Sequence, residues 1–120
     1  MKIYESGEMY LESILVLSKK LHRVRSIDIS EYLEYSKPSV SRAVGILKKD
    51  GLIIVADDGG ITLTDSGRKI AEKIYERHVV LSKMLEDLGV SPDVASSDAC
   101  KMEHVISDES FAAIKKHLGI

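Results

Sequence analysis

The stretch ISEYLEYSKPSVSRAVGILKKDGLIIVADDGGITLT, residues 29–64, admits few folds. Its first half carries two helical periods separated by little more than EYS: Ile29 and Leu33 form one apolar face, and Val40, Val44 and Leu47 form another. Its second half has two β-rich runs, LIIV and ITLT, around the turn DDGG, which reads as a hairpin with polar tips and little core of its own. Two short helices joined by a tight turn and followed at once by a hairpin predict a winged helix-turn-helix.

The flanking segments are helical. Tyr10, Ile14, Leu17 and Leu21 share one side of a first helix over residues 7–21, and Ser26 is expected to cap a second over 27–33. A third helix is expected over about 37–50, ending at Asp50-Gly51. Thr64 or Asp65 opens a long fourth helix, with Ile70, Ile74, Leu81, Leu85 and Leu88 as its stripe and Gly89 as its stop. Ser91-Pro92 opens a fifth and Ser107, followed by two acids, a sixth. The expected architecture is mainly α: a winged helix-turn-helix DNA-binding domain, residues 1–64, then a helical metal-binding and dimerisation domain, residues 65–120.

At 120 residues the chain is long enough for one core and a small extension, and too short for most multi-domain enzymes. No apolar run approaches the roughly 20 residues of a membrane span, and MKIYESGEMY lacks the order of a secretory signal, so a cytoplasmic location is expected. The single cysteine, Cys100, excludes an internal disulfide framework. Net charge is −2, yet residues 19–49 hold eight lysines and arginines against three acids, an asymmetry that favours a phosphate-binding face.

On the third helix, Pro38, Ser41, Arg42, Gly45 and Lys49 fall opposite the apolar stripe. This face is slim, basic and free of carboxylates, as a helix entering the major groove must be. Arg42 can pair with a guanine edge, Ser41 and Lys49 can hold phosphates, and Pro38 can press on a thymine methyl. With Ser36, Lys37, Ser39 and Lys48 they make up the expected DNA-binding set, although a plain solvent face, with Gly45 making room for another helix, is the competing reading. Asp57 and Asp58 at the wing tip would repel phosphate unless the tip stays clear of it.

A second constellation is Cys100, Glu103 and His104, at i, i+3 and i+4 of the fifth helix, with valine, methionine and isoleucine at 94, 102, 105 and 106 expected mainly on the opposite, core-facing side. Thiolate, carboxylate and imidazole are all metal ligands, and three are rarely enough for a transition metal. Met9 and Glu12, one turn apart on the first helix and off its core stripe, offer a soft and a hard further donor. A gap-filling Met9, a solvated Glu12 and a Cys100 that is merely a small buried hydrophobe are the alternatives.

The segments GEMYLESIL, SKPSVSRAVGILKKDGLI, ITLTDSGRKIAEKIYERH and ACKMEHVISDE, in this order and spacing, resemble the iron- and manganese-dependent repressors of the diphtheria-toxin-repressor type over nearly the whole chain. The resemblance implies that Met9, Cys100, Glu103 and His104 bind a regulatory divalent metal. That family's manganese branch has Asp and Glu where Met9 and Cys100 stand, so the iron branch is matched at both, whereas Glu12 matches a ligand of the manganese branch. Fe(II) is therefore favoured, with Mn(II) the other option. His78 matches a histidine of an ancillary metal site whose other iron-branch ligands are here Ser82 and Ser96; a second ion shared by Glu12, His78 and Cys100 is the manganese-type variant. The chain resembles shorter members without an SH3-like domain, and Phe111, Ile114 and Leu118 fit the family's dimer interface, or alternatively close the monomer core.

The expectation is thus a homodimeric repressor on a double-stranded DNA operator, not an enzyme, with a winged-helix regulator sensing oxidants through Cys100 as the alternative. A small metalloenzyme using Glu103 as base is a third reading, set back by the lack of a Gly-rich substrate loop.

Overall fold

The computed structural model describes residues 5–120 and contains, among them, helices α1 (Glu5–Lys20), α2 (Ser26–Leu33) and α3 (Lys37–Lys49), strands β1 (Ile53–Val55) and β2 (Ile61–Leu63), and helices α4 (Asp65–Asp87), α5 (Pro92–Met102) and α6 (Asp108–Leu118). Two compact units divide within α4, the first ending at Glu72 and the second beginning at Lys73.

In the first unit, α1 is apolar around much of its circumference: Tyr10, Leu11, Ile14, Leu15 and Leu17 are all buried, together with Ser13, whose hydroxyl donates to the Met9 carbonyl at 2.8 Å. A helix so enclosed is the centre of its unit rather than a surface element. It packs on α2, α3 and β2. Leu21, expected on its stripe, lies past the helix end and is 39% exposed.

The second helix begins one residue earlier than its sequence suggests. Ser26 is helical and Arg25 is the N-cap; Asp28 reaches back to accept from the Arg25 backbone N–H at 2.8 Å. The cap therefore comes from the third helical residue rather than from Ser26, which satisfies one orphan donor equally well. Ser36 caps α3 by accepting from Ser39 N at 3.3 Å, with Pro38 in the first turn. Val40, Val44 and Leu47 are its buried face, as the 3.6-residue period requires.

The hairpin pairs antiparallel with Ile53 opposite Leu63 and Val55 opposite Ile61. Ile61 N also donates to Val24 O at 2.7 Å, so the loop between α1 and α2 ties the wing to the helical core. At the tip, Asp58 binds Arg23 at 2.9 Å and accepts from Gly60 N at 2.9 Å. The backbone hydrogen bond from Gly60, with Arg23 adding to it, holds that carboxyl below the usual aspartate range, and its charge is already balanced within the chain.

The wing joins α4 through a crowded corner. Thr64 N donates to Leu52 O, Thr64 Oγ1 donates to Gly51 O at 2.8 Å, and the same hydroxyl caps α4 by accepting from Gly67 N at 3.1 Å. Leu52 O lies directly against the Gly67 Cα, where any Cβ would overlap it.

In the second unit the buried side chains include Ile74, Val80, Leu81, Ala95, Ala99 and Phe111, with Arg77 and Glu103 buried among the polar residues. Leu88, expected in the α4 stripe, is 74% exposed because it lies just beyond the helix, before Gly89 turns the chain at φ 101°. The α5 face is also reversed from its apolar reading: Ala95, Ala99 and Glu103 are buried, whereas Val94 and Val105 are exposed.

Gly67 supplies a direct test. Alanine is the better helix former by about 1 kcal/mol, but overlap with an immobile backbone carbonyl costs about 1–3 kcal/mol or more. Gly67→Ala is expected to lower the urea midpoint of unfolding; an unchanged or higher midpoint would show that the corner yields.

Candidate metal centre and DNA-reading surface

The second unit buries an acid. Glu103, fully inaccessible to solvent, is the C-cap of α5, and His104 follows in the turn rather than on the helix. The expected single helical face of Cys100, Glu103 and His104 is therefore a helix end: α5 stops at Met102, and the chain turns there toward α6. Cys100, half-buried and in no disulfide, lies in the last turn of α5.

Glu103 is held at three points. Its N–H donates to Ala99 O at 2.9 Å, its carbonyl accepts from Arg77 Nη1 at 3.2 Å, and its Oε2 lies 2.9 Å from His78 Nδ1, where the ring N–H donates to the carboxylate. Its Oε1 has no hydrogen-bond partner among the described residues. That oxygen is 3.3 Å from His104 Nε2, close enough to count as an ion pair by distance but without hydrogen-bond geometry. An oxygen and a ring nitrogen at this separation, not hydrogen-bonded to each other, stand as two ligands of one ion can. Ligands about 2.0–2.1 Å from a metal at 90–109° to each other are about 2.8–3.4 Å apart. A buried carboxylate with an unused oxygen is costly without a cation, so this pair fits a divalent metal.

His78, the expected ancillary ligand, touches Glu103 directly, and its other nitrogen, Nε2, is 3.4 Å from Ser96 Oγ. Ser82 Oγ is buried with no hydrogen bond among the described residues. The serines at 82 and 96 thus line the cleft beside His78 without offering the carboxylate and imidazole of an iron-type ancillary site.

Arg77, which the sequence pattern did not single out, holds the turn after α5 in place. Its guanidinium donates to the carbonyls of Glu103 and Ile106 and to the Asp108 carboxylate, and stacks 5.5 Å from the Phe111 ring centre. It thereby fixes both ends of the turn that carries Glu103 and His104. The available signal was an arginine at helical spacing between Ile74 and Leu81, a charge in an apolar stripe. Of the expected dimer residues, Phe111 is buried under Arg77 and Lys115, and Ile114 and Leu118 are half-buried.

On α1, Met9 and Glu12 are half-buried. Met9 Sδ accepts from the Tyr35 hydroxyl at 3.1 Å, and the Tyr35 ring meets Tyr10 edge-on at 5.9 Å. Burial, with the neighbouring Tyr35 adding to it, raises the Tyr10 hydroxyl above its ordinary range.

The face expected to read DNA is open. Lys37, Pro38, Ser41, Arg42, Gly45, Lys48 and Lys49 are exposed, and α3 has no acid in its first turn. A Cβ at Gly45 would meet nothing within 4 Å among the described residues, so this glycine makes room for none of them. Ser36 and Ser39, by contrast, are engaged locally: the two hydroxyls are 2.9 Å apart, and Ser39 Oγ accepts from Arg42 Nη2 at 3.4 Å. No described helix is long and apolar enough to cross a membrane.

A winged helix-turn-helix joined to a helical unit with an ion-ready carboxylate–imidazole pair defines the class of metal-responsive DNA-binding proteins. The comparisons give the family. Residues 2–61 match the iron dependent repressor N-terminal DNA binding domain, and residues 64–120 match the iron dependent repressor metal binding and dimerisation domain. The chain belongs to the iron-dependent repressor family. It is 34% identical over 108 residues to the diphtheria toxin repressor of Corynebacterium diphtheriae, covering 89% of this chain and 48% of that protein. To the transcriptional regulator MntR of Escherichia coli it is 36% identical over 106 residues, covering 88% and 68%. A solved manganese-dependent transcriptional repressor in complex with manganese superposes with TM-score 0.86 at 31% identity, covering 94% of this chain and 52% of that one. The chain thus spans about half the length of two of these three relatives.

Asp108 gives a pH test of the turn. The hydrogen bond and charge of Lys73, then Arg77, hold its carboxyl below the ordinary 3.8. Because the folded value is the lower one, the stabilisation is complete above the ordinary value and lost as pH falls through the folded one. The thermal midpoint should drop as pH falls below the ordinary aspartate value, and Asp108→Asn should flatten that limb; an unchanged acid limb would show that the pair contributes nothing measurable.

Proposed function

We propose that the protein is a metal-activated transcriptional regulator: a homodimer that binds a double-stranded DNA operator in the cytoplasm and represses metal-uptake genes. The observation that carries this reading is the buried Glu103 carboxylate with one oxygen unused beside His104 Nε2. Cys100, Glu103 and His104 supply thiolate, carboxylate and imidazole, and Met9 and Glu12 of α1 supply the further donors on their chemistry. When bound, the ion would neutralise the buried acid, and its binding would be linked to DNA binding. That link lowers the ordering cost of placing two copies of α3 in adjacent major grooves.

Soft sulfur donors at Met9 and Cys100 favour Fe(II), and Glu12 keeps Mn(II) within range. His78 acts here first through Glu103, and only second as a ligand of a further ion with Glu12 and Cys100. Arg42 and Pro38 meet the base edges, Gly45 gives the helix room to approach them, and Ser41 with the lysines at 37, 48 and 49 holds phosphates. Ile114 and Leu118 supply the apolar dimer contact, with Phe111 supporting them from beneath. Neither family description involves thiol oxidation, and the oxidant-sensing alternative for Cys100 gains no support.

The test is a DNA-binding titration, run anaerobically with Fe(II) and Mn(II), on duplex selected from a random pool by the metal-loaded protein. Wild type should bind more tightly with metal, and Cys100→Ala and Met9→Ala should each need at least about tenfold more metal, the lower end of the loss seen for outer-shell partners. Affinity indifferent to metal in all three proteins overturns the switch.

Gly45→Ala separates stability from recognition. It should raise unfolding stability by up to about 1 kcal/mol, since nothing among the described residues opposes the added methyl, while weakening DNA binding in the metal-loaded state. Unweakened DNA binding would show that this face does not approach the groove closely.

A further inference from the structure

The Tyr35 hydroxyl donates to Met9 Sδ at 3.1 Å, inside the van der Waals contact of oxygen and sulfur. A surface tyrosine that points its hydroxyl at a thioether twenty-six residues earlier, rather than into solvent, is placed there by its backbone. Tyr35 N donates to Ser30 O at 3.2 Å, and Ser30 Oγ donates to Tyr35 O at 2.6 Å, so one residue of α2 clamps both backbone groups of Tyr35. Edge-on contact with Tyr10 fixes the ring. The next residue, Ser36, is the N-cap of α3. A continuous set of contacts therefore runs from Met9 through Tyr35 to the start of the DNA-reading helix, all within the first unit.

We propose that Tyr35 is a positioning residue for Met9: its hydroxyl occupies one sulfur lone pair and aims the other at the metal, so that metal occupancy bears directly on the turn that begins α3. The inference rests on the assignment of Met9 as a metal donor. Methionine is unbranched with three rotatable bonds, and a free thioether must lose that rotamer freedom when it binds an ion. A sulfur already held by a fixed phenol has lost much of it beforehand, which is the general route by which an outer partner raises ligand affinity. A thioether is also a weak ligand, so its placement matters more than that of a thiolate or carboxylate, which attract the ion from any rotamer.

Tyr35→Phe removes only the hydroxyl and keeps the ring against Tyr10. Metal affinity is measured by competition with a fluorescent chelator, using Mn(II) in air and Fe(II) anaerobically, for wild type, Tyr35→Phe, Met9→Leu and the double variant, with thermal unfolding without metal as the fold control. Tyr35→Phe should bind metal roughly threefold to tenfold more weakly, the equivalent of one hydrogen bond, with its metal-free unfolding midpoint lowered by no more than the loss of one exposed hydrogen bond. The same substitution should have no further effect once Met9 is leucine, because the coupling runs through the sulfur. Unaltered affinity in Tyr35→Phe, or a loss that persists in the Met9→Leu background, overturns the proposal while leaving the metal switch intact. Wild-type affinity retained in Met9→Leu overturns the donor assignment of Met9 and this inference with it.

Discussion

A carboxylate taken wholly out of water is the constraint around which the second unit is built. Glu103 occupies the buried face of α5 at the spacing set by Ala95 and Ala99, where an apolar residue would ordinarily stand. Burying an acid is unfavourable unless its oxygens are matched. His78 satisfies one, and the other is left beside His104 Nε2. Around this group the protein adds rigidity: Arg77, itself buried, grips the carbonyls at Glu103 and Ile106 and the carboxylate of Asp108. Truncating such a guanidinium would strand several polar groups at once, so the turn between α5 and α6 is over-determined. This is the arrangement expected of ligands held ready for an ion.

The first unit solves a different problem, that of presenting a slim helix. Because Val40, Val44 and Leu47 fill the inner arc of α3, the outer arc is free to be small and basic. The local bonds of Ser36 and Ser39 go to capping and to Arg42, which sets the start of the helix and the root of its guanidinium. The wing is anchored by Val24 O at one side and by the Leu52, Thr64 and Gly67 corner at the other. With Asp58 already paired to Arg23, the repulsion that its charge would exert on a phosphate is reduced rather than full.

Periodicity and punctuation were enough to place the helices and hairpin, because each signal is local. The stop at Gly89, the cap at Thr64 and the register of ITLT against LIIV all follow from residues within a few positions of one another. The reversed face of α5 has one cause. Val94 and Val105 read as core and Glu103 as surface by hydropathy, yet the structure exposes the valines and buries the acid. Hydropathy ranks side chains one at a time and has no term for a carboxylate matched by a histidine from another helix. Ser26 was displaced as a cap because Asp28 performed the same service from inside the helix. Cys100, Glu103 and His104 were found as a motif, but as one face of a helix; that two of them sit on a turn held open by Arg77 was not visible in their spacing.

By itself, the sequence determined the order of elements, the two faces of α3 and the chemistry of the candidate ligands, since these depend on residue type and on separations of one or two helical turns. Only the tertiary structure decided which polar groups are buried, which oxygen of Glu103 is left over, and that Tyr35 reaches Met9. Those outcomes depend on side chains 25 or 26 residues apart meeting at hydrogen-bond distance. No local pattern encodes such a meeting, because it follows from how whole elements pack rather than from the preference of any one residue.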